Sequence, residues 1–374
     1  MSRLIRYLLF IIFSIASFYY AWSEGDRRLS QSEYSKLTAS QNPIVARSIG
    51  YDHGGGNIVA IQAFMHILDY SSEERFFEKI ESYLKEAKAR GILKEKTIVV
   101  FPEHIGTALV LLGEKKEVYA ANTVNSAFSK IAYGDLIGYA MNSFVNPKNA
   151  SGEIIFKMKS ESMRMVYVET FKKLSSSYKV MILAGSILLP EPEVNEASSD
   201  IILNKGNLIN ASFLFLPDGK INSKFGVKHN LGSIERQIAV RRNKENAFLV
   251  HNNIGFVLSN DSLYNSVYGE KLKDKDVIIV PSAIFEKDEI AWNSEDIFGN
   301  KEAPEKGLTQ SELWRKYNVF EKTKQSQSNR ISVQVVLLGK FYEFNLEGET
   351  AAIIRYVATE GLDNKTPAIL NIWF

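Results

Sequence analysis

The chain has 374 residues, of which 45% are hydrophobic and 24% are charged. This composition is ordinary for a globular protein and allows one large hydrophobic core or two modest ones. A formal net charge of +2 supplies no strong positive field, so nucleic acid is not an expected partner. The chain contains no cysteine, which excludes disulfides, thiolate metal sites and a cysteine nucleophile. A cysteine-free chain suits an oxidising compartment without assigning one.

The first segment, residues 1–23, is predicted to be a membrane anchor or a signal peptide. Arg3 and Arg6 precede an uncharged, apolar stretch from Tyr7 to Ser23. This stretch sits at the lower limit of about 17 residues for a spanning helix. A basic start followed by an apolar stretch and small residues also fits a cleaved signal peptide. Either alternative predicts a membrane-anchored or secreted protein whose domain lies on the extracytoplasmic (periplasmic) side.

The next segment, 24–56, is polar, ends in three glycines and is predicted to be a linker. The glycines precede a strand-like run instead of following one, so they do not indicate a phosphate-binding loop. Downstream, short apolar strands alternate with helices, which is typical of an α/β fold with a buried sheet. The expected strands cover 57–64, 97–101, 180–184, 210–216, 247–258, 276–281, 331–338 and 350–356, the expected helices 72–90 and most of 105–176, and a loop is expected over 293–308.

A series of short motifs along residues 57–356 resembles the nitrilase (carbon–nitrogen hydrolase) superfamily. No single motif is specific, but together they follow the family's order and mostly its spacing. The motifs are Gln62, Glu86-Ala87, Phe101-Pro102-Glu103, Gly185-Ser186, Asn210 followed by Asp218-Gly219-Lys220, Lys228-His229-Asn230-Leu231, Gly255 through Asp261, Pro281-Ser282 and the closing stretch Gly339 to Thr350.

The resemblance implies a four-layer α-β-β-α sandwich of the nitrilase type, an α/β fold, over residues 57–374. The N-terminal hydrophobic helix would precede this carbon–nitrogen hydrolase-like domain. One departure from the family is the long gap between Glu103 and Gly185. This gap predicts that 105–176 is partly an inserted helical region over the mouth of the site.

The resemblance also implies a Glu–Lys–Cys site. Glu103 follows a buried strand, where the catalytic groups of α/β sheets collect, and would act as general base. Lys228 would stabilise the oxyanion of an acyl-transfer intermediate. Ser259 occupies the nucleophile position in place of cysteine. Glu235 and Asn260 are the expected substrate-binding residues.

Serine changes the chemistry of this position. A cysteine thiol has a pKa of about 8.5, whereas a serine hydroxyl is far less acidic and needs a strong base, usually histidine. A Ser-His-Asp assembly of Ser259, His104 or His251, and Asp261 is an alternative, but no Gly-x-Ser-x-Gly elbow surrounds the serine. His104 directly follows Glu103, so the two side chains are expected to point to opposite sides.

Two functions follow. The leading hypothesis is an extracytoplasmic enzyme acting on a small-molecule amide, nitrile or acyl donor. The rival is a catalytically inactive pseudoenzyme that serves as a tethered ligand- or partner-binding domain. No cofactor and no metal are expected, because the histidines show no metal-ligand spacing. The N-terminal helix predicts the membrane as a partner. Because members of the family commonly assemble through helical faces, the resemblance also implies a possible homo-oligomer.

Overall fold

The structure is a computed structural model. It describes residues 3–27, 29–38, 43–145, 147, 149–240, 248–264, 268, 272, 274–285, 310–326, 331–355, 357–358 and 361–374. The loop expected over 293–308 lies outside these residues, as do the first residue of the strand expected over 247–258 and the last residue of that expected over 350–356.

Within this part of the chain, helices and strands alternate much as expected. The helices are α1 (Arg3–Glu24), α2 (Gln31–Thr38), α3 (Glu73–Ala89), α4 (Lys116–Tyr119), α5 (Val124–Gly134), α6 (Leu136–Val145), α7 (Ser151–Tyr178), α8 (Gln310–Tyr317) and α9 (Val319–Ser326). The strands are β1 (Val45–Ile49), β2 (Asn57–Gln62), β3 (Phe64–His66), β4 (Thr97–Val100), β5 (Met181–Leu183), β6 (Ile187–Asn195), β7 (Asp200–Ser212), β8 (Leu214–Phe215), β9 (Gly226–Val227), β10 (Phe248–His251), β11 (Ile254–Val257), β12 (Val277–Ser282), β13 (Ile284–Phe285), β14 (Ile331–Val336), β15 (Leu338–Phe341), β16 (Phe344–Glu347), β17 (Ala351–Ile354), β18 (Val357–Ala358) and β19 (Ala368–Trp373).

Two six-stranded sheets lie face to face. Their strand orders are β1-β19-β2-β4-β5-β8 and β10-β11-β12-β14-β17-β18. Along β2, Ile58 and Ala60 enter the core shared by the two sheets, whereas Val59 and Ile61 pack on the opposite face. This alternation follows from the two-residue period of strand side chains, and burial on both faces explains why the strand is almost entirely apolar. The two sheets are the inner layers.

Helices cover the outer faces of both sheets. Phe171 of α7 contacts Phe76 of α3 and Phe101 at the end of β4, with ring centroids 6.4 and 5.4 Å apart. On the other sheet, Trp314 of α8 and Val319 of α9 belong to the cluster that packs on β12 and β14. The predicted four-layer α-β-β-α sandwich is therefore confirmed.

Helix α3 shows why the local sequence folds as it does. The Ser72 side chain caps its start by accepting a hydrogen bond from the Arg75 amide. Its buried apolar residues recur at the spacing of one helix face, at 76, 80, 83, 84 and 87. Gly91 follows the helix with a φ of +70°, the left-handed conformation that commonly ends helices. The helix predicted over 72–90 is confirmed.

The linker predicted over 24–56 is wrong in part, because this segment contains α2 and the edge strand β1. β1 pairs in parallel with β19, with Val45 opposite Ala368 and Ile49 opposite Ile372. β19 in turn pairs antiparallel with β2. An edge strand is partly exposed and has one neighbour, so its sequence lacks the apolar run that marks the central strands.

The predicted helical content of 105–176 is confirmed, with a short 3-10 turn at Thr107–Leu111 followed by α4 to α7. α7 packs on the first sheet through Met163 and Phe171 and belongs to the outer layer of the sandwich. At the other end of the sequence, α1 is the one helix in the described ranges that is long and apolar enough to cross a membrane. Its apolar window is unburied.

Candidate active site

The candidate site lies where strands of the two inner sheets end together. Glu103 follows β4, Ser259 follows β11, and Ala283 follows β12. One carboxylate oxygen of Glu103 accepts a hydrogen bond of 2.9 Å from the Ala283 amide. β4 lies in the first sheet and β12 in the second, so this bond joins the carboxyl ends of the two sheets. Such an edge is where ligand sites of α/β sheets form.

Lys228 lies at the centre of a buried charge network. Its Nζ is 2.8 Å from Glu103 Oε1 and 2.5 Å from Glu235 Oε2, and only 2% of its side chain is exposed. Burial by itself lowers the pKa of a lysine. Here the two carboxylates outweigh burial and raise the pKa of Lys228 above its ordinary value. The ammonium therefore stays charged and can donate hydrogen bonds but cannot serve as a base.

Glu103 is fully buried and accepts hydrogen bonds on both oxygens. Besides Lys228, Oε1 accepts a bond of 3.0 Å from Asn210 Nδ2, while Oε2 accepts the amide of Ala283. Buried carboxylate oxygens need such hydrogen-bond donors in place of water. The network thus holds Glu103 in a fixed orientation beside Lys228, its partner in the site that the motif resemblance implies.

Glu235 completes the network from the other side of Lys228. Its Oε2 also accepts the amide of Gly232 at 2.8 Å, and its Oε1 accepts Asn210 Nδ2 at 2.9 Å. Burial would raise the pKa of Glu235, but Lys228 and His104 reverse that effect and lower it. Glu235 is therefore an ionised partner of Lys228, and its predicted contact with substrate stays a prediction.

His104 contradicts the expectation that it points away from Glu103. Its Nε2 lies 3.2 Å from Glu235 Oε1 and 3.8 Å from Glu103 Oε1. The reason is that β4 ends at Val100, and His104 has a left-handed φ of +60°, so the two-residue alternation of a strand no longer applies. Its own amide donates to Ser186 Oγ at 2.9 Å, which fixes this turn.

Ser259 begins a 3-10 turn, Ser259–Leu263, which is separated from β11 by Leu258 alone. Its φ of +42° is left-handed, a conformation that costs a non-glycine residue about 1–2 kcal/mol and that persists at functional sites. The residue is completely buried, and among the described residues its hydroxyl has no hydrogen-bond partner. The strained strand-to-helix turn resembles the backbone of a nucleophile elbow, although no glycine flanks the serine.

Asp261 ties the Ser259 turn to the segment that carries Lys228. Its carboxylate accepts hydrogen bonds from the amides of His229 and Asn230, at 2.8 and 2.7 Å. Burial raises the pKa of Asp261, and these two amides oppose that shift only in part. The residue therefore acts as a positioning residue between two segments of the site.

A Ser-His-Asp triad does not form in the part of the chain that the structure describes. The Ser259 hydroxyl makes no hydrogen bond there, so it contacts neither His104 nor His251. His104 pairs with Glu235, and Asp261 accepts backbone amides. The triad alternative is wrong, because His104 and Asp261 are engaged with groups other than the Ser259 hydroxyl.

Glu103, His104 and Glu235 form a cluster whose potential metal-ligand atoms lie within 4.8 Å of one another. The Lys228 ammonium lies within hydrogen-bond distance of both carboxylates. Since that ammonium already supplies the positive charge between the two acids, the arrangement fits a lysine-centred ion network and does not fit a cation site.

The sequence predictions missed the roles of two residues in this network. Asn210 bridges the two carboxylates with one amide group and was recognised only as part of a motif. His104 was assigned to the wrong side. The predicted residue Asn260 is buried in the Ser259 turn, and its contact with substrate stays a prediction.

No family model matches the sequence, and no curated protein matches it significantly. Solved structures do match. A glutamate-to-glutamine mutant of the amidase from Nesterenkonia sp. AN1, which carries the acetamide moiety of fluoroacetamide on its active-site cysteine, superposes with a TM-score of 0.52. The two chains are 11% identical, and the match covers 86% of this chain and 92% of that one.

A cysteine-to-alanine mutant of the same amidase, in complex with butyramide, gives a TM-score of 0.50, again with 11% identity and coverage of 86% and 92%. A cysteine-to-serine mutant of this amidase, described as belonging to the nitrilase superfamily, gives 0.48 with 11% identity and coverage of 85% and 91%. At such low identity the likeness shows the fold. The chain shares the α-β-β-α fold of this amidase.

Proposed function

We propose that the chain is a carbon–nitrogen hydrolase-like enzyme of the nitrilase superfamily that acts on an amide, nitrile or acyl donor. The observation that carries the proposal is the buried Lys228 ammonium held between Glu103 and Glu235, 2.8 and 2.5 Å away, where strands of both sheets end. A charged lysine fixed in a buried site is costly to bury and is suited to stabilising a developing oxyanion.

In the proposed reaction with an amide or another acyl donor, Ser259 Oγ forms a bond to the acyl carbon, and Glu103 accepts the hydroxyl proton. Lys228 donates a hydrogen bond to the oxyanion, and its raised pKa keeps it protonated throughout. The acyl–leaving-group bond then breaks, and the leaving group takes the proton from Glu103. Water then attacks the resulting ester of Ser259, and Glu103 accepts a proton from that water. The Ser259 oxygen takes this proton back from Glu103 as the carboxylic acid leaves. Glu103 is the proton acceptor because Lys228 has no free electron pair.

The extracytoplasmic location is part of the proposal. Arg3 and Arg6 lie before the apolar stretch of α1, and such short basic flanks favour the cytoplasmic side. The domain that follows α1 would then lie on the far side of the membrane. The absence of cysteine suits that compartment, and a serine at position 259 is inert to the oxidation that a thiolate undergoes there.

Turnover by the full-length protein tests this proposal. We expect hydrolysis of at least one member of a panel of short amides, nitriles and activated esters, and we expect Ser259→Ala to abolish it. Ser175→Ala is the matched control, because Ser175 is a fully buried serine whose hydroxyl donates to the Lys172 carbonyl of its own helix, α7. Activity that survives in Ser259→Ala would overturn the assignment of the nucleophile.

A second function, the pseudoenzyme, is favoured by one specific observation. In the described part of the chain the Ser259 hydroxyl has no base bonded to it, and both Glu103 oxygens already accept other donors. A hydroxyl without a base is a poor nucleophile. If the wild type is inert and Ser259→Cys gains activity, the chain is a binding domain that retains the pocket.

A further inference from the structure

Helix α6 exposes its apolar side chains and turns its polar side chains towards the protein, the reverse of a helix on a water-exposed surface. It contains no charged residue, and its outward side chains lie at 136, 137, 140, 141, 144 and 145, the spacing of a single helix face. Ile137, Met141 and Phe144 on this face are 71%, 65% and 88% exposed. The opposite face, with Asn142 and Ser143, turns towards the protein and α7. A helix surrounded by water would have the reverse arrangement.

The start of α6 is bonded directly to the apolar helix α1. The Tyr19 hydroxyl donates to the Tyr133 carbonyl at 3.0 Å and accepts the Leu136 amide at 2.8 Å. Tyr19 lies near the end of α1, among aromatic residues of the kind that concentrate at membrane–water interfaces. The first turn of α6 is therefore at the level where α1 leaves its apolar stretch.

Further contacts fix the end of α1 against the same part of the domain. The Lys115 ammonium donates to the Trp22 carbonyl and lies 4.2 Å from the centre of the Trp22 ring. Arg27 donates to the carbonyls of Ser23, at 2.7 Å, and Gly134, at 3.1 Å. These contacts make α1 an oriented attachment, so the position of α6 relative to α1 follows from the structure.

We propose that the outward face of α6, defined by residues 136, 137, 140, 141, 144 and 145, lies in the headgroup–acyl boundary of the bilayer that α1 enters. Ten residues of helix extend about 15 Å, too short to cross a hydrocarbon core of about 30 Å. A helix too short to span the bilayer can still bury an exposed apolar face in the interface, and α6 already packs its opposite face against the protein. The chain is then held at the membrane by two contacts, which fixes the orientation of the domain and its site.

The absence of native cysteine makes this proposal testable with single labels. Phe144→Cys and Met141→Cys, each carrying a fluorophore sensitive to polarity, are prepared in the full-length chain and reconstituted into vesicles of phosphatidylcholine and phosphatidylglycerol in equal parts. Quenching is measured with nitroxide-bearing lipids and with aqueous iodide. We expect several-fold stronger lipid quenching than for the control Tyr51→Cys, together with a blue-shifted emission.

Tyr51 suits the control because it is 81% exposed and lies before β2, at the end of the sheet opposite to Glu103. The proposal is overturned if both α6 labels are quenched by iodide and insensitive to lipid nitroxide, as expected of Tyr51→Cys. It is equally overturned if neither quencher reaches them, since that pattern would place the face against protein, such as a second copy of the chain. Two labels on the same exposed face guard against a local effect of either substitution.

Discussion

The network around Lys228 and the turn around Ser259 differ in how their buried polar groups are hydrogen-bonded. The side chains of Lys228, Glu103 and Glu235 are buried, and each has more than one partner within hydrogen-bond distance. Ser259 is equally buried, yet in the described residues its hydroxyl has none. The contrast teaches that the described residues satisfy the charged groups of the Lys228 network but leave the hydroxyl of Ser259 without a hydrogen-bond partner.

The largest expected effect comes from removing the centre of the network. Lys228→Met leaves Glu103 and Glu235 as two buried carboxylates without the cation between them. Breaking a buried ion pair by deleting one partner costs about 3–5 kcal/mol, and we expect that loss in the free energy of unfolding measured by urea titration.

Lys324→Met is the matched control for that experiment. Lys324 pairs with Glu321 at 2.7 Å, but both side chains are nearly half exposed. Surface pairs contribute less than about 1 kcal/mol, so this variant should unfold almost like the wild type. Equal losses in the two variants would contradict the buried, interdependent character of the Lys228 network.

A smaller loss is expected for Asn210→Leu. One amide group bridges Glu103 and Glu235, and hydrogen bonds to charged groups contribute about 1.5–3 kcal/mol. We expect the unfolding free energy to fall by about 2 kcal/mol, because leucine leaves both carboxylates one donor short. A variant as stable as the wild type would show that the bridge is dispensable and that Lys228 alone satisfies the two acids.

The pH dependence of the unfolding free energy tests whether Glu235 is ionised in the folded protein. The folded pKa of Glu235 is lowered, so its stabilising contribution is present above the ordinary glutamate pKa of about 4.3 and is lost as pH falls through the folded pKa. Glu235→Gln cannot titrate. The difference in unfolding free energy between the wild type and Glu235→Gln should therefore narrow from pH 7 to pH 3. Lys324→Met is the surface control and is measured over the same pH range. A difference that stays constant over this range would contradict the lowered pKa.

The smallest effect on stability is expected at Ser259 itself. Ser259→Ala removes a hydroxyl that bonds to no described group, so the unfolding free energy should change by less than about 1 kcal/mol. Ser332→Ala is the matched comparison, because Ser332 is also fully buried but shares a hydrogen bond of 2.6 Å with Thr323. Its loss should be larger, about 1–3 kcal/mol. The reverse order would mean that Ser259 has a structural partner.

The layers of the fold could be predicted because they depend on apolar periodicity. β2 and β4 are nearly continuous apolar runs, and such runs indicate strands buried on both faces. β1 could not be found in this way, because an edge strand with partly exposed residues has no such run. The pairing of β1 with β19 also joins residues more than 300 positions apart, which no local pattern reveals.

The pairing of Glu103 with Lys228 followed from the motif resemblance, and the structure brings these residues together. The side of His104 was predicted wrongly, since a left-handed backbone at one residue is invisible to strand periodicity. The bridging role of Asn210 was also out of reach, because it depends on two carboxylates from distant segments meeting at one amide.

The central claim is that Ser259 is a nucleophile beside the Lys228 network. The most direct measurement is intact-mass and peptide mass spectrometry of the full-length protein after incubation with an activated ester. We predict one acyl group per chain, located on Ser259, in the wild type and in Ser175→Ala, and none in Ser259→Ala. A wild type that acquires no acyl group, or a Ser259→Ala variant that still acquires it, would contradict the proposed chemistry.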